Sequence, residues 1–301
     1  MTQTASKDTY RTAEVEVRGG TLHTAIWGPD EPDAPTILAV HGVTASHKAW
    51  PYLAEALPDV RIIAPDLRGR GRSNALPAPY GMPSHAEDLA AVLAALAPEP
   101  VVVVGHSMGG FASVVLANLF PERVRSLVLV DGGLPLQVPE GISDEQLISS
   151  VLGPAAERLN ATFPSREVYR SFWRQHPAFS AGWGPLVEAY VDYDLTGEEP
   201  ELRPSTRYQA MAEDTAELHR GASLLKALDE LAVDTVVLRA PRGLLNEPAA
   251  LYAPGYLDEW AAKLPSLRVR EVPDVNHYTI VMGETGAAAV AESVREALAG
   301  S

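Results

Sequence analysis

The sequence contains no cysteine, which excludes a disulfide framework, a thiolate nucleophile and a thiolate metal site. Basic residues are scarce, with 24 Lys and Arg against 39 Asp and Glu, for a formal charge of −15. That balance argues against DNA, RNA or an anionic membrane as partner. The acidity is spread along the chain and carries no substrate information. No apolar run is long enough to span a bilayer, and the opening "MTQTASKDTYRTAEVEV" lacks the apolar centre of a secretion signal. A cytoplasmic location is the default expectation. No G-x-G-x-x-G or G-K-[ST] string points to a nucleotide, and no His/Asp/Glu spacing points to a metal, so neither cofactor nor metal is expected.

What is present is an alternation of two periodicities. Residues 1–12 are polar and read as a flexible tail. "AEVEVRGGTLHTAIWG" reads as two alternating strands, 13–18 and 21–27, around a Gly-Gly turn. The runs "PTILAVHG", "VRIIAPDL", "PVVVVGHS" and "RSLVLVDG" are continuously apolar, as expected of parallel strands buried on both faces. Helical patterns separate them, and two further strands follow in "DTVVLRA" and "LRVREVPD" before an amphipathic C-terminal helix. The fold class is therefore α/β, a mostly parallel eight-stranded sheet with helices on both faces. From 134 to 221 the strand runs stop, and segments such as "EVYRSFWRQHPAF" are helical and rich in large aromatics. The domain reading is a core of 13–133 and 222–301, interrupted after the sixth strand by a helical cap at 134–221.

Ser107 lies between Gly105 and Gly109 in "VVVVGHSMGGFASVVLANLF", where a buried strand meets a helix. A strand that turns abruptly into a helix strains the corner residue and leaves no room for β-carbons beside it. The corner side chain is then pushed into a crevice next to the free N–H groups of a helix start. A serine there is placed to attack.

In three motifs the chain resembles the α/β-hydrolase fold superfamily: "VHGVT" at 40–44, "PDLRGRGRS" at 65–73 and "GHSMGG" around Ser107. Their order and spacing are specific for the fold and far less so for substrate. The resemblance implies that Ser107 is the nucleophile and that the backbone N–H groups of Val43 and Met108 form the oxyanion hole. It also implies that His277, just after the last strand in "VPDVNHYTI", is the base. A neutral imidazole suits that task, because its pKa lies near working pH. His41 and His106 are expected to brace loops, and the remaining histidines to be solvated. The acid departs from the common pattern, since "LRAPRGLLNEP" has Gly243 where many members carry an aspartate. Asp131, closing the sixth strand, is favoured over Glu247. Asp66, Arg68 and Arg70 read as scaffold.

The cap's aromatics are expected to divide between its own core and the pocket, with Trp183, Tyr190 and Tyr278 as substrate-binding candidates. A lid with little charge facing inward favours a neutral, hydrophobic substrate. The expected activity is a serine carboxylic-ester hydrolase or lactonase acting through an acyl-enzyme, with a Ser107-His277-Asp131 triad similar to that of the zearalenone lactonases. The alternatives are a C–C bond hydrolase of the meta-cleavage type, a cofactor-free haloperoxidase or perhydrolase, and a non-catalytic small-molecule receptor on the same fold. The expected partner is a hydrophobic small-molecule ester or lactone, with no nucleic acid and no membrane. Association as a homo-oligomer is left open.

Overall fold

The structure is a computed structural model, and it describes residues 10–300 apart from 139–140, 142, 144–145, 147–152, 154–155 and 181. Its centre is the β5 strand, Val101–His106, which is buried at every position. Val101 and Val103 pack into one apolar layer and Val102 and Val104 into the other. A strand covered on both faces has no solvent side, which is why "VVVV" shows no alternation. Each such valine contributes roughly 1.5–3 kcal/mol on burial.

Around β5 stand β1 (Arg11–Val17), β2 (Gly20–Trp27), β3 (Thr36–Val40), β4 (Arg61–Pro65), β6 (Val124–Val130), β9 (Thr235–Arg239) and β10 (Leu267–Glu271). The eight-stranded sheet has the order β1-β2-β4-β3-β5-β6-β9-β10. Its first two pairings are antiparallel and the rest parallel. The first layer holds α2 (Met82–Leu96), α3 (Met108–Leu119), α7 (Ala222–Asp229) and α8 (Tyr256–Lys263). The second holds α1 (Pro51–Ala56), α9 (Thr279–Met282) and α10 (Glu284–Ala299).

The first strand opens at Arg11, inside the stretch expected to be a tail. Arg11 pairs with Ile26 and Thr12 with Ala25, while the Tyr10 ring packs 5.0 Å from that of Trp27. Backbone pairing needs no apolar pattern, so polarity alone misplaced the boundary. Residues 1–9 of the expected tail lie outside the described residues.

Between β6 and α7 the chain forms α4 (Arg166–Arg174), α5 (Pro185–Tyr193) and α6 (Tyr208–Arg220). It also forms a two-stranded ribbon, β7 (Leu195–Thr196) with β8 (Arg203–Pro204), which the apolar pattern does not signal. Most of 139–155, within the expected cap, lies outside the described residues. The aromatics divide unevenly. Tyr169, Trp173 and Phe179 are buried against one another and against Tyr278, and they extend the second apolar layer of the sheet into the insertion. Two buried charges support it: the Arg158 guanidinium donates to both the Tyr169 hydroxyl and the Asp194 carboxylate. The insertion is also tied to the loop after β4. Arg207 N–H donates to the Gly69 carbonyl (2.9 Å), and Gly71 N–H to the Ser205 hydroxyl (3.2 Å).

Candidate active site

Ser107 follows β5 directly and opens α3 with φ 52° and ψ −127°, a left-handed corner that a serine adopts only under constraint. The constraint comes from its neighbours. A β-carbon on Gly105 would stand 2.5 Å from the Gly109 carbonyl oxygen, and one on Gly109 would stand 2.1 Å from that of Val40. Only glycine permits that approach of helix to strand.

Asp131 follows β6 directly and is also left-handed, with φ 45°. It is fully buried. One carboxylate oxygen accepts from Ala240 N–H (3.1 Å), and the other lies 2.7 Å from His277 Nδ1. Glu247 is occupied elsewhere: its carboxylate accepts from Leu245 N–H (2.7 Å) and its carbonyl from Gly243 N–H (3.0 Å), closing its own loop. Of the two acids considered, Asp131 is therefore the one on the imidazole.

The two bracing histidines have definite partners. Burial pushes His41 down to about 4. As a neutral ring it donates from Nδ1 to the Gly42 carbonyl (2.8 Å) and accepts at Nε2 from Leu67 N–H (2.9 Å). Burial, with His277 close by, holds His106 well below its usual range. Its Nε2 donates to the His277 carbonyl (2.8 Å), so the residue before Ser107 grips the main chain of the histidine on Asp131.

Ser107, His277, Val43, Tyr190 and Tyr278 line one cleft of about 550 Å³, its open mouth included. Its other walls include Phe111 from α3, Leu136, Leu218 from α6, Leu244 and Leu251, none of which a local motif marks. Leu218 is legible only as an apolar position on a helix. Among the described lining residues none is Lys, Arg, Asp or Glu. Burial raises the Tyr190 and Tyr278 hydroxyls above the usual phenol range, so both are neutral donors. Met108, the first residue of α3, is fully buried beneath the serine. Trp183 does not line the cleft. Its half-buried ring lies under the Arg174 guanidinium (5.2 Å), and its N–H donates to Glu188 (3.4 Å).

His47 and His85, expected to be solvated, are fully buried because carboxylates from distant segments receive them. His47 Nδ1 lies 2.9 Å from Asp66, and His85 Nε2 lies 2.9 Å from Asp214. Among the described residues, His23, His47 and Asp66 bring metal-ligand types within 4.8 Å of one another. That donor set does not fit a metal. One Asp66 oxygen already accepts from His47 N–H and Nδ1, and the other from Arg72 N–H (2.8 Å) and the Tyr193 hydroxyl (2.6 Å). Burial alone would raise Asp66, but His47 beside it outweighs burial and holds it well below the carboxylate range. The group knits the β4 loop to the insertion.

Residues 35–283 match the family model described as the alpha/beta hydrolase fold. The chain is an alpha/beta hydrolase. Among curated relatives of this alpha/beta hydrolase, Lipase LipV of Mycobacterium tuberculosis is 43% identical over 115 residues, 38% of this chain. That stretch is 43% of the lipase, so the chain covers less than half of that relative's length. A 2-(acetamidomethylene)succinate hydrolase of Mesorhizobium japonicum is 28% identical over 250 residues, covering 81% of this chain and 82% of that protein. Among solved structures, E-2-(acetamidomethylene)succinate hydrolase superposes with a TM-score of 0.77 at 22% identity, over 95% of this chain and all of that one. The thioesterase domain from the curacin biosynthetic pathway gives 0.75 at 21%, over 96% of this chain and all of that one. At these identities the structures speak to fold alone. No helix among the described residues is long and apolar enough to cross a membrane.

Proposed function

We propose that this alpha/beta hydrolase is a serine hydrolase that cleaves a carboxylic ester or lactone of a hydrophobic small molecule. One observation carries the reading: His277 Nδ1 is held 2.7 Å from a buried carboxylate, and its ring lines the same cleft as a serine at a strained strand-to-helix corner. The carboxylate fixes the Nδ1–H tautomer, which leaves Nε2 as the basic nitrogen. His277 takes the Ser107 proton as the hydroxyl oxygen attacks the substrate carbonyl carbon. The carbonyl π electrons move to oxygen, where the N–H groups of Val43 and Met108 receive the charge. Preorganised donors of this kind are worth roughly 10²–10³ in rate each. His277 then returns the proton to the leaving alkoxide as the C–O bond breaks. It next deprotonates a water that hydrolyses the acyl-enzyme, and Ser107 regains its hydrogen.

The substrate class rests on the cleft's lack of Lys, Arg, Asp and Glu among its described lining residues, with Thr44, Tyr190 and Tyr278 among its neutral hydrogen-bonding groups. A lactone fits this mechanism without a change of groups, since the leaving alkoxide then stays attached to the acyl chain. The protein is read as acting on a small molecule without nucleic acid, membrane or cofactor, from a cytoplasmic location, with residues of 134–221 as a cap over the cleft. The test is hydrolysis of a graded panel of aryl esters and macrocyclic lactones beside Ser107→Ala, with a fluorophosphonate to label the serine. Turnover and labelling in the wild type, both lost in the variant, support the reading. A wild type that cleaves ring-fission diketones in preference to esters shifts it to C–C hydrolysis, and peroxide-dependent halogenation shifts it to a perhydrolase. Tight binding of a small molecule without product makes it a receptor.

A further inference from the structure

Arg70 has more to do than its place in a scaffold loop suggests. It is fully buried, and its guanidinium fork meets four neighbours. Nε donates to the Val43 carbonyl (2.9 Å), one terminal nitrogen to the Arg68 carbonyl (2.8 Å), and the other approaches the Met108 sulfur (3.7 Å). The same nitrogen that meets Arg68 lies 2.6 Å from the carboxylate of Asp214. Val43 and Met108 are the two residues whose N–H groups the proposed mechanism assigns to the oxyanion. They come from different segments, the loop after β3 and the first turn of α3, and one side chain touches both.

Asp214 belongs to α6 of the insertion and is itself fully buried. Gly81 N–H (2.6 Å) and His85 Nε2 (2.9 Å) hold its carboxylate in place for Arg70. Leu218, one turn further along α6, lines the cleft. Residues four apart lie on the same side of a helix, so the helix that touches the substrate space also grips the guanidinium.

Resting on the serine-hydrolase reading, we propose that Arg70 and Asp214 are positioning residues that set the spacing of the two oxyanion donors, so that the insertion completes the oxyanion site from behind. Arginine is required by shape: its donors diverge in one plane, whereas a lysine ammonium on a flexible stem cannot hold the same directions at once. A displacement of the donors on the order of 1 Å costs about 10²-fold in rate.

The test compares Arg70→Lys, Asp214→Asn and, as a control, Asp88→Asn. Asp88 pairs with Arg68 in the same loop (2.6 and 2.9 Å) and touches neither oxyanion residue. Each variant is measured for kcat and KM on the best ester of the panel, for affinity toward a boronic acid that adds to Ser107, and for thermal midpoint. Arg70→Lys and Asp214→Asn are expected to lower kcat about tenfold to a hundredfold with KM within about threefold, and to weaken the boronate by a matching factor. Asp88→Asn is expected to lower the midpoint and leave kcat within about threefold. If Arg70→Lys does not fold, Asp214→Asn, which keeps the side-chain shape, decides. The proposal is overturned if kcat and boronate affinity hold in the folded variants, or fall no further than in the control. A wild type that neither hydrolyses the panel nor takes up fluorophosphonate overturns the underlying reading instead, so the two failures are distinguishable.

Discussion

The two sides of the cleft are built by different means. On the sheet side, groups of the site stand immediately past strand ends: His41 after β3, Asp66 after β4, Ser107 after β5 and Asp131 after β6. Main-chain pairing puts them there, and apolar burial holds the pairing. On the insertion side, short helices with little sheet among them are fixed by buried ions: Arg158 with Asp194, Arg70 with Asp214, and Tyr193 with Asp66. The sheet side positions a residue wherever a strand stops. The insertion depends on particular buried charges and their partners, and the two ion pairs are costly to break one partner at a time.

The comparison breaks most sharply at the serine. Ser107→Ala is expected to lower kcat by on the order of 10⁶ in steady-state ester hydrolysis, with melting unchanged. Next comes the acid, where Asp131→Asn is expected to cost about 10⁴ in kcat by removing the group that fixes the imidazole tautomer. Glu247→Gln should stay within a few-fold. The reverse pattern would move the acid to the loop after β9.

On the insertion side the expected damage is to stability. Asp194→Asn leaves the buried Arg158 cation without its counter-charge, at a cost of about 3–5 kcal/mol in urea unfolding. Loss of turnover with an unchanged unfolding midpoint would contradict that division of labour.

The smallest effects are those of pH. Burial keeps His41 at about 4, against 6.5 in the open chain, so the unfolded state binds the extra proton first. Stability from this group is present above about 6.5 and declines as pH falls toward 4, and a His41→Gln variant should show a shallower decline. Asp214 behaves as a depressed carboxylate. Burial alone would raise it, but His85 and Arg70 outweigh that and hold it at about 2. Its contribution is present above 3.8 and is lost as pH falls toward 2, so Asp214→Asn should flatten the acid limb of the urea midpoint against pH.

This division explains what could be read from the sequence. The mostly parallel eight-stranded sheet was legible in its continuous apolar runs, and Ser107, His277 and Asp131 stood out as candidates because each sits at a break in local periodicity or in a short motif. The tail boundary failed because Arg11 and Thr12 pair through backbone atoms that polarity does not reveal. His47 and His85 looked exposed because their partners, Asp66 and Asp214, lie 19 and 129 positions away. Trp183 is not among the residues lining the cleft, because a large aromatic on an insertion fits a cation stack as well as a pocket wall. The contacts of Arg70 were invisible in a charged loop, since only the folded chain brings Val43, Met108 and Asp214 to its fork.

The ring at position 106 joins two stretches 171 places apart, coupling the residue next to Ser107 to the peptide that carries His277. Slow breathing of the C-terminal segment would therefore drag the corner with it, keeping attacker and acceptor in step while the surroundings loosen. Activity held in this way should outlast softening of the outer shell on warming.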